Sequence, residues 1–152
     1  MASNGGTSGS AGSGSSMREL FRSPHMRLRY DKRFDLVIIT RSPLPYDSVV
    51  EMNDTFAKME LAIQGVVKQR SVLFIDSREA LLRNDPVFEA AFEANRRRFT
   101  RGFKKISALV KTAVGKLQIQ RHSKIDGIPI GVFTDRVEAL AYLELPTWID
   151  VD

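Results

Sequence analysis

Short apolar runs alternating with helical stripes constrain this chain more than any other feature. Phe34 to Thr40, Val72 to Asp76, Ile106 to Val110 and Ile130 to Phe133 are each too short for a buried helix, and each precedes a segment whose apolar residues recur at steps of three and four. After the first run, Pro43 and Pro45 stop the strand, Asp47 or Ser48 caps a helix, and Val49, Met52, Phe56, Met59 and Ile63 line its buried face as far as Gly65. After the second, Asp85 offers a capping oxygen. Pro86 fits the first helical position, where its missing N–H needs no partner, and Phe88, Ala91, Phe92, Asn95 and Phe99 follow along one face. Thr112 caps a third helix carrying Val114, Leu117 and Ile125, which Gly127 and Pro129 end. Thr134 caps a last helix with Val137, Leu140, Ala141 and Leu143 on its buried face. Leu28 and Tyr30, alternating with Arg27 and Arg29, read as a short edge strand joined to the first run through Asp31-Lys32-Arg33. The order ββαβαβαβα predicts one α/β domain over residues 28–143, with a mostly parallel mixed sheet whose first strand runs antiparallel.

The flanks read differently. Residues 1–16 are almost all Gly, Ser, Ala, Thr and Asn, which cannot bury enough surface to offset the entropy of ordering. With the basic, irregular stretch that follows, residues 1–27 are expected to form a flexible leader. Residues 144–152 form a tail in which Trp148 stands beside Ile149, to dock on the domain or on another chain.

Composition removes several functions. There is no cysteine, so disulfides, thiolate zinc sites and thiol nucleophiles are out. His25 and His122 are the only imidazoles, and no metal or cofactor is expected. No apolar run approaches the ~20 residues a membrane-spanning helix needs, so the chain reads as a cytoplasmic protein. Its 23 Lys and Arg against 18 Asp and Glu leave a net charge of +5, a weak bias toward anionic partners.

The element order, the strand ending in Asp76, the Asn84-Asp85-Pro86 helix start and the segment Val110-Lys111-Thr112-Ala113-Val114-Gly115-Lys116-Leu117-Gln118 together resemble the STAS-like, SpoIIAA-like family, which has an affinity to the lipid-binding Sec14 type. The resemblance spans about residues 28 to 143 and implies a non-enzymatic signalling or regulatory module that binds a protein partner, a nucleotide or a lipid-like ligand. In the anti-sigma-factor antagonists of that family, the corresponding helix begins with an Asp-Ser pair whose serine is phosphorylated. Here Asp85 is followed by Pro86, which has no hydroxyl, and Ser77 follows its strand directly and does not match the motif.

In such a fold the strand ends bring Thr40, Arg41, Asp76, Ser77, Arg78, Lys111 and Thr112 to one rim, near the helix start at Asn84 and Asp85 and with Lys116 close by. Helix N-termini there add unpaired N–H groups, and a phosphate, a carboxylate or a lipid-like anion would suit the rim, with Asp76 orienting the basic groups. The competing reading makes these ordinary solvated loop ends. A second candidate is the run Arg96, Arg97, Arg98, Arg101, Lys104 and Lys105, interleaved with Phe99 and Phe103, which could follow a nucleic-acid backbone; cations at a helix C-terminus are also favourable without any ligand. Ser77, Asp76 and His122 lack the Gly-x-Ser-x-Gly setting of a hydrolase elbow, and no catalytic residues are assigned.

Overall fold

The computed structural model describes residues 16–81 and 85–152. They form six strands, β1 (Met17–Arg22), β2 (Met26–Asp31), β3 (Leu36–Arg41), β4 (Val72–Asp76), β5 (Lys105–Leu109) and β6 (Gly131–Phe133), in a single sheet ordered as in the chain. Four helices accompany them: α1 (Val49–Ala62), α2 (Pro86–Thr100), α3 (Ala113–Asp126) and α4 (Arg136–Tyr142), with a 3-10 turn at Lys68–Arg70. β1, β2 and β3 pair antiparallel and β3 to β6 parallel, so the sheet is mixed and the fold is of the α/β class.

The start of the domain departs from expectation. Residues 17–27, read as irregular leader, form β1 and the first turn into β2, and β1 takes the edge position expected of β2. A register shift between Glu19 and Phe21 breaks the alternation of side chains along β1. Leu20 and Phe21 therefore both reach one core while Met17 reaches the other, and no period of two survives in the sequence.

Alternation along the parallel strands builds two cores. Val37, Ile39, Leu73 and Ile106 face α1 and α2, meeting Met52, Phe56, Met59 and Phe99. Leu36, Ile38, Val72, Phe74 and Leu109 face the other way and meet Ala139, Leu140 and Leu143 of α4 with Ile149 and Val151 of the following segment. Gly131 permits that second contact, because a Cβ there would lie 2.7 Å from the Tyr142 ring.

Local signals explain the helix starts. Ser48 accepts from the Glu51 N–H, Asp85 from the N–H groups of Val87 and Phe88, and Thr112 from that of Gly115. The cap of α4 is Asp135 in place of Thr134, and Val137 and Ala141 turn outward while Ala139 and Leu140 are buried. α3 departs furthest. None of its residues is buried, and Val114, Leu117 and Ile125, the stripe expected to hold it down, are 64%, 64% and 59% exposed. Gly127, at φ +70, ends it in the left-handed conformation that suits glycine.

Candidate ligand-binding site

α3 does not settle on the sheet because a space lies beneath it. A cavity of about 1040 Å³ is walled by β3, β4 and β5 on one side and α1, α2 and α3 on the other. Ile39, Ile75 and Ala108 form its sheet wall, while Phe88, Phe92 and Ile119 come from the helices. Its exposed lining residues Leu44, Leu81 and Ile125 mark where it meets solvent.

The rim residues divide between the two faces of the sheet. Thr40 pairs with Asp76 and Asp76 with Leu109, so the strands end level. Side chains alternate there as elsewhere. Arg41, Ser77, Arg78, Lys111 and Thr112 line the cavity, whereas Thr40 and Asp76 lie outside its lining. Asp85 and Thr112 act as helix caps, Lys116 is outside the lining, and Asn84 lies outside the described residues.

Behind the sheet, Asp76 is buried and accepts from Arg78 Nε at 3.0 Å and Nη2 at 2.7 Å. Arg78 Nη2 also reaches Asp152 Oδ1 at 2.6 Å, and these two carboxylates hold its pKa above that of free arginine. Buried Arg29 donates to the Val151 carbonyl at 2.7 Å and to Thr40 Oγ1 at 3.3 Å. Arg136 binds the carbonyls of Thr147 and Ile149. Residues 145–152 are thus strapped over this face, with Ile149 buried and Trp148 67% exposed, its ring edge-on to Phe34 at 5.9 Å.

Arg41 belongs to the cavity side. Its guanidinium lies 4.7 Å from the centre of the Phe92 ring, and Arg96 lies 5.4 Å from the same ring. Burial depresses the Arg41 pKa most; Tyr46 opposes that shift and the like charge of Arg96 adds to it. The Tyr46 hydroxyl is itself pushed up to about 12 by burial, and its ring stacks on His25 at 4.2 Å.

The basic run of α2 and the following loop does not stay together. Arg96 turns inward and binds Asp126 of α3 through Nε at 2.9 Å and Nη2 at 3.1 Å. Arg97 pairs with Glu93, Arg98 donates to Asn95 Oδ1, and Phe99 is buried. Lys105 lies 4.5 Å from the Tyr142 ring centre on the opposite face of the sheet, while Arg101 and Lys104 remain exposed. His122 lines the cavity, and burial, then Arg96, lowers its pKa. With Asp76 bound to Arg78, the combination of Ser77, Asp76 and His122 has no free carboxylate to orient the imidazole. Among the described residues no three His, Asp or Glu side chains gather to hold a metal ion, and no helix is long and apolar enough to cross a membrane.

Sequence reasoning missed the cavity and the buried role of Arg29. One signal for the division of the rim was present: adjacent residues of a strand face opposite ways, so Thr40 and Arg41 could not serve one pocket. Searches against protein-family models, curated proteins and solved structures find no match to this chain.

Proposed function

We propose that the chain is a non-enzymatic binding module of the STAS-like type, working in the cytoplasm, that holds a small ligand with a largely apolar body between its sheet and α3. The observation that carries this is the cavity of about 1040 Å³ under a helix with no buried residue. Apolar concavities with a few convergent polar groups are where proteins hold small molecules, and a fully packed domain would have closed this one. This moves the working surface from the open rim to the space below it. Of the residues at the strand ends, Arg41, Ser77, Arg78, Lys111 and Thr112 line that space. A partner protein seated on α3 is the second reading, favoured by Val114 and Leu117 standing in solvent. The nucleic-acid reading weakens because Arg96 and Arg97 are already paired.

Ala108 is buried on the sheet wall of the cavity, and Ala108→Trp would obstruct the space from a position outside the second core. Gently purified protein should carry a small organic molecule visible by native mass spectrometry, and the emptied protein should brighten anilinonaphthalene sulfonate. Both signals should weaken in Ala108→Trp while its circular dichroism stays that of the parent. Protein that arrives bare and leaves the dye dark ends the proposal.

A further inference from the structure

The cations around the cavity differ in what already neutralises them. Arg78 is bound to Asp76 and Asp152, Arg96 to Asp126, and Lys111 Nζ to Glu79 Oε2 at 3.0 Å. Arg121 stands exposed to water. The carboxylates Glu89 and Glu93 also line the cavity; Glu93 pairs with Arg97, and Glu89 lies near enough to His122 to raise its proton affinity. Arg41 is the exception. Among the described residues no ion pair or hydrogen bond engages its guanidinium, whose one ring contact is Phe92.

Phe92 therefore has a cation at each of two positions, and Asp126 cancels only the charge of Arg96. Arg41 is half-buried; a cation partly withdrawn from water without a counter-charge is unfavourable, and a carboxylate that completes it gains a charge-assisted, two-pronged bond. Arg41 has the Phe92 ring and the Tyr46 phenol beside it, and the apolar side chains of Ile39 and Ile75 line the same cavity.

We infer that the occupant is a single-chain alkyl carboxylate, its head bound to Arg41 and its chain laid along Phe92, Ile75, Ala108 and Ile119. This deepens the proposed function and rests on it. Arg121 and Glu89 are exposed to water, so the half-buried Arg41 is the charge a single negative head group would match. A phosphate monoester brings close to two and would leave the excess without a counter-charge at Arg41. The volume points to one chain as well, since cavities of about 300–1,000 Å³ take a molecule of drug size.

The test uses the full chain, emptied of any bound molecule, and titrates oleate, oleyl alcohol, oleyl phosphate and phosphatidylglycerol below their aggregation limits by calorimetry. Oleate should bind roughly tenfold to a hundredfold more tightly than the alcohol. Arg41→Gln should erase that preference and leave alcohol binding unchanged, while Arg41→Lys keeps part of it. Equal binding of oleate and alcohol by the parent protein overturns the head-group assignment and leaves the cavity standing. Preference for oleyl phosphate overturns the single charge, and preference for phosphatidylglycerol overturns the single chain. If neither oleate nor the alcohol binds, this inference fails, and the dye experiment decides separately whether the cavity assignment fails with it. Should Arg41→Gln not fold, the oleate-to-alcohol ratio of the parent protein decides alone.

Discussion

Phe74 and Ile75 are neighbours on β4 that meet different surroundings. Phe74 is fully buried against α4 and the strap that follows it; Ile75 lines a cavity. The difference runs through the whole sheet. On the Phe74 side a helix of seven residues and an irregular segment are enough for closure, because Leu140, Ile149 and Val151 join the core there while Arg29 donates to the Val151 carbonyl and Arg136 to that of Ile149. On the Ile75 side three longer helices leave space. Cohesion is thus drawn from one face and from the α1 end of the other, so the region under α3 is free to remain unfilled.

The sharpest way to break this comparison is to shorten an aromatic on each side. Phe74→Ala should cost about 3–5 kcal/mol, as expected for a large side chain removed from close packing. Phe92→Ala, at the wall of an existing cavity, should cost only about 1 kcal/mol. Urea unfolding midpoints would show it, and equal losses would mean that the two faces are packed alike.

Arg29→Met sharpens the account of the strap. It leaves the Val151 carbonyl without its donor in a buried setting, for a loss of about 1–3 kcal/mol. Trp148 is the only tryptophan and sits on that segment, so its emission should also become easier to quench by iodide. Unchanged quenching would show that apolar burial of Ile149 and Val151 holds the strap unaided.

The smallest effect concerns pH. Burial and Arg96 keep the folded pKa of His122 below 6.5, so the unfolded chain takes up this proton first. The stability linked to this group is complete above 6.5 and is lost as pH falls through the lower folded value. His122→Gln should flatten the acid side of a stability profile, and a profile identical to that of the parent would remove His122 from the cavity's charge balance.

Legibility in the sequence followed locality. β3, β4 and β5 were readable because apolar residues occupy both faces, and Ser48, Asp85 and Thr112 were readable as caps because their partners lie two or three residues away. β1 was not, since the irregularity between Glu19 and Phe21 erases its period. Val114 and Leu117 carried the pattern of a buried stripe but lie outside, because burial is decided by what stands opposite a helix. The strand-end residues could be gathered to one edge, yet their division between faces needs the register of Thr40 against Asp76. A void has no residues of its own and leaves no mark in a one-dimensional pattern. Arg41 was named for its charge; that no counter-ion meets it among the described residues emerges only once Arg78, Arg96 and Lys111 are seen to have theirs.

Arg96 and Asp126 join α2 to the last turn of α3, while the first turn of α3 rests on its Thr112 cap. Between those ends no residue of the helix is fully buried and Ile119 and His122 face the cavity, so swinging it outward would strip little greasy surface from shelter. A guest could pass beneath it as through a door hung from one jamb, leaving the rest of the house standing.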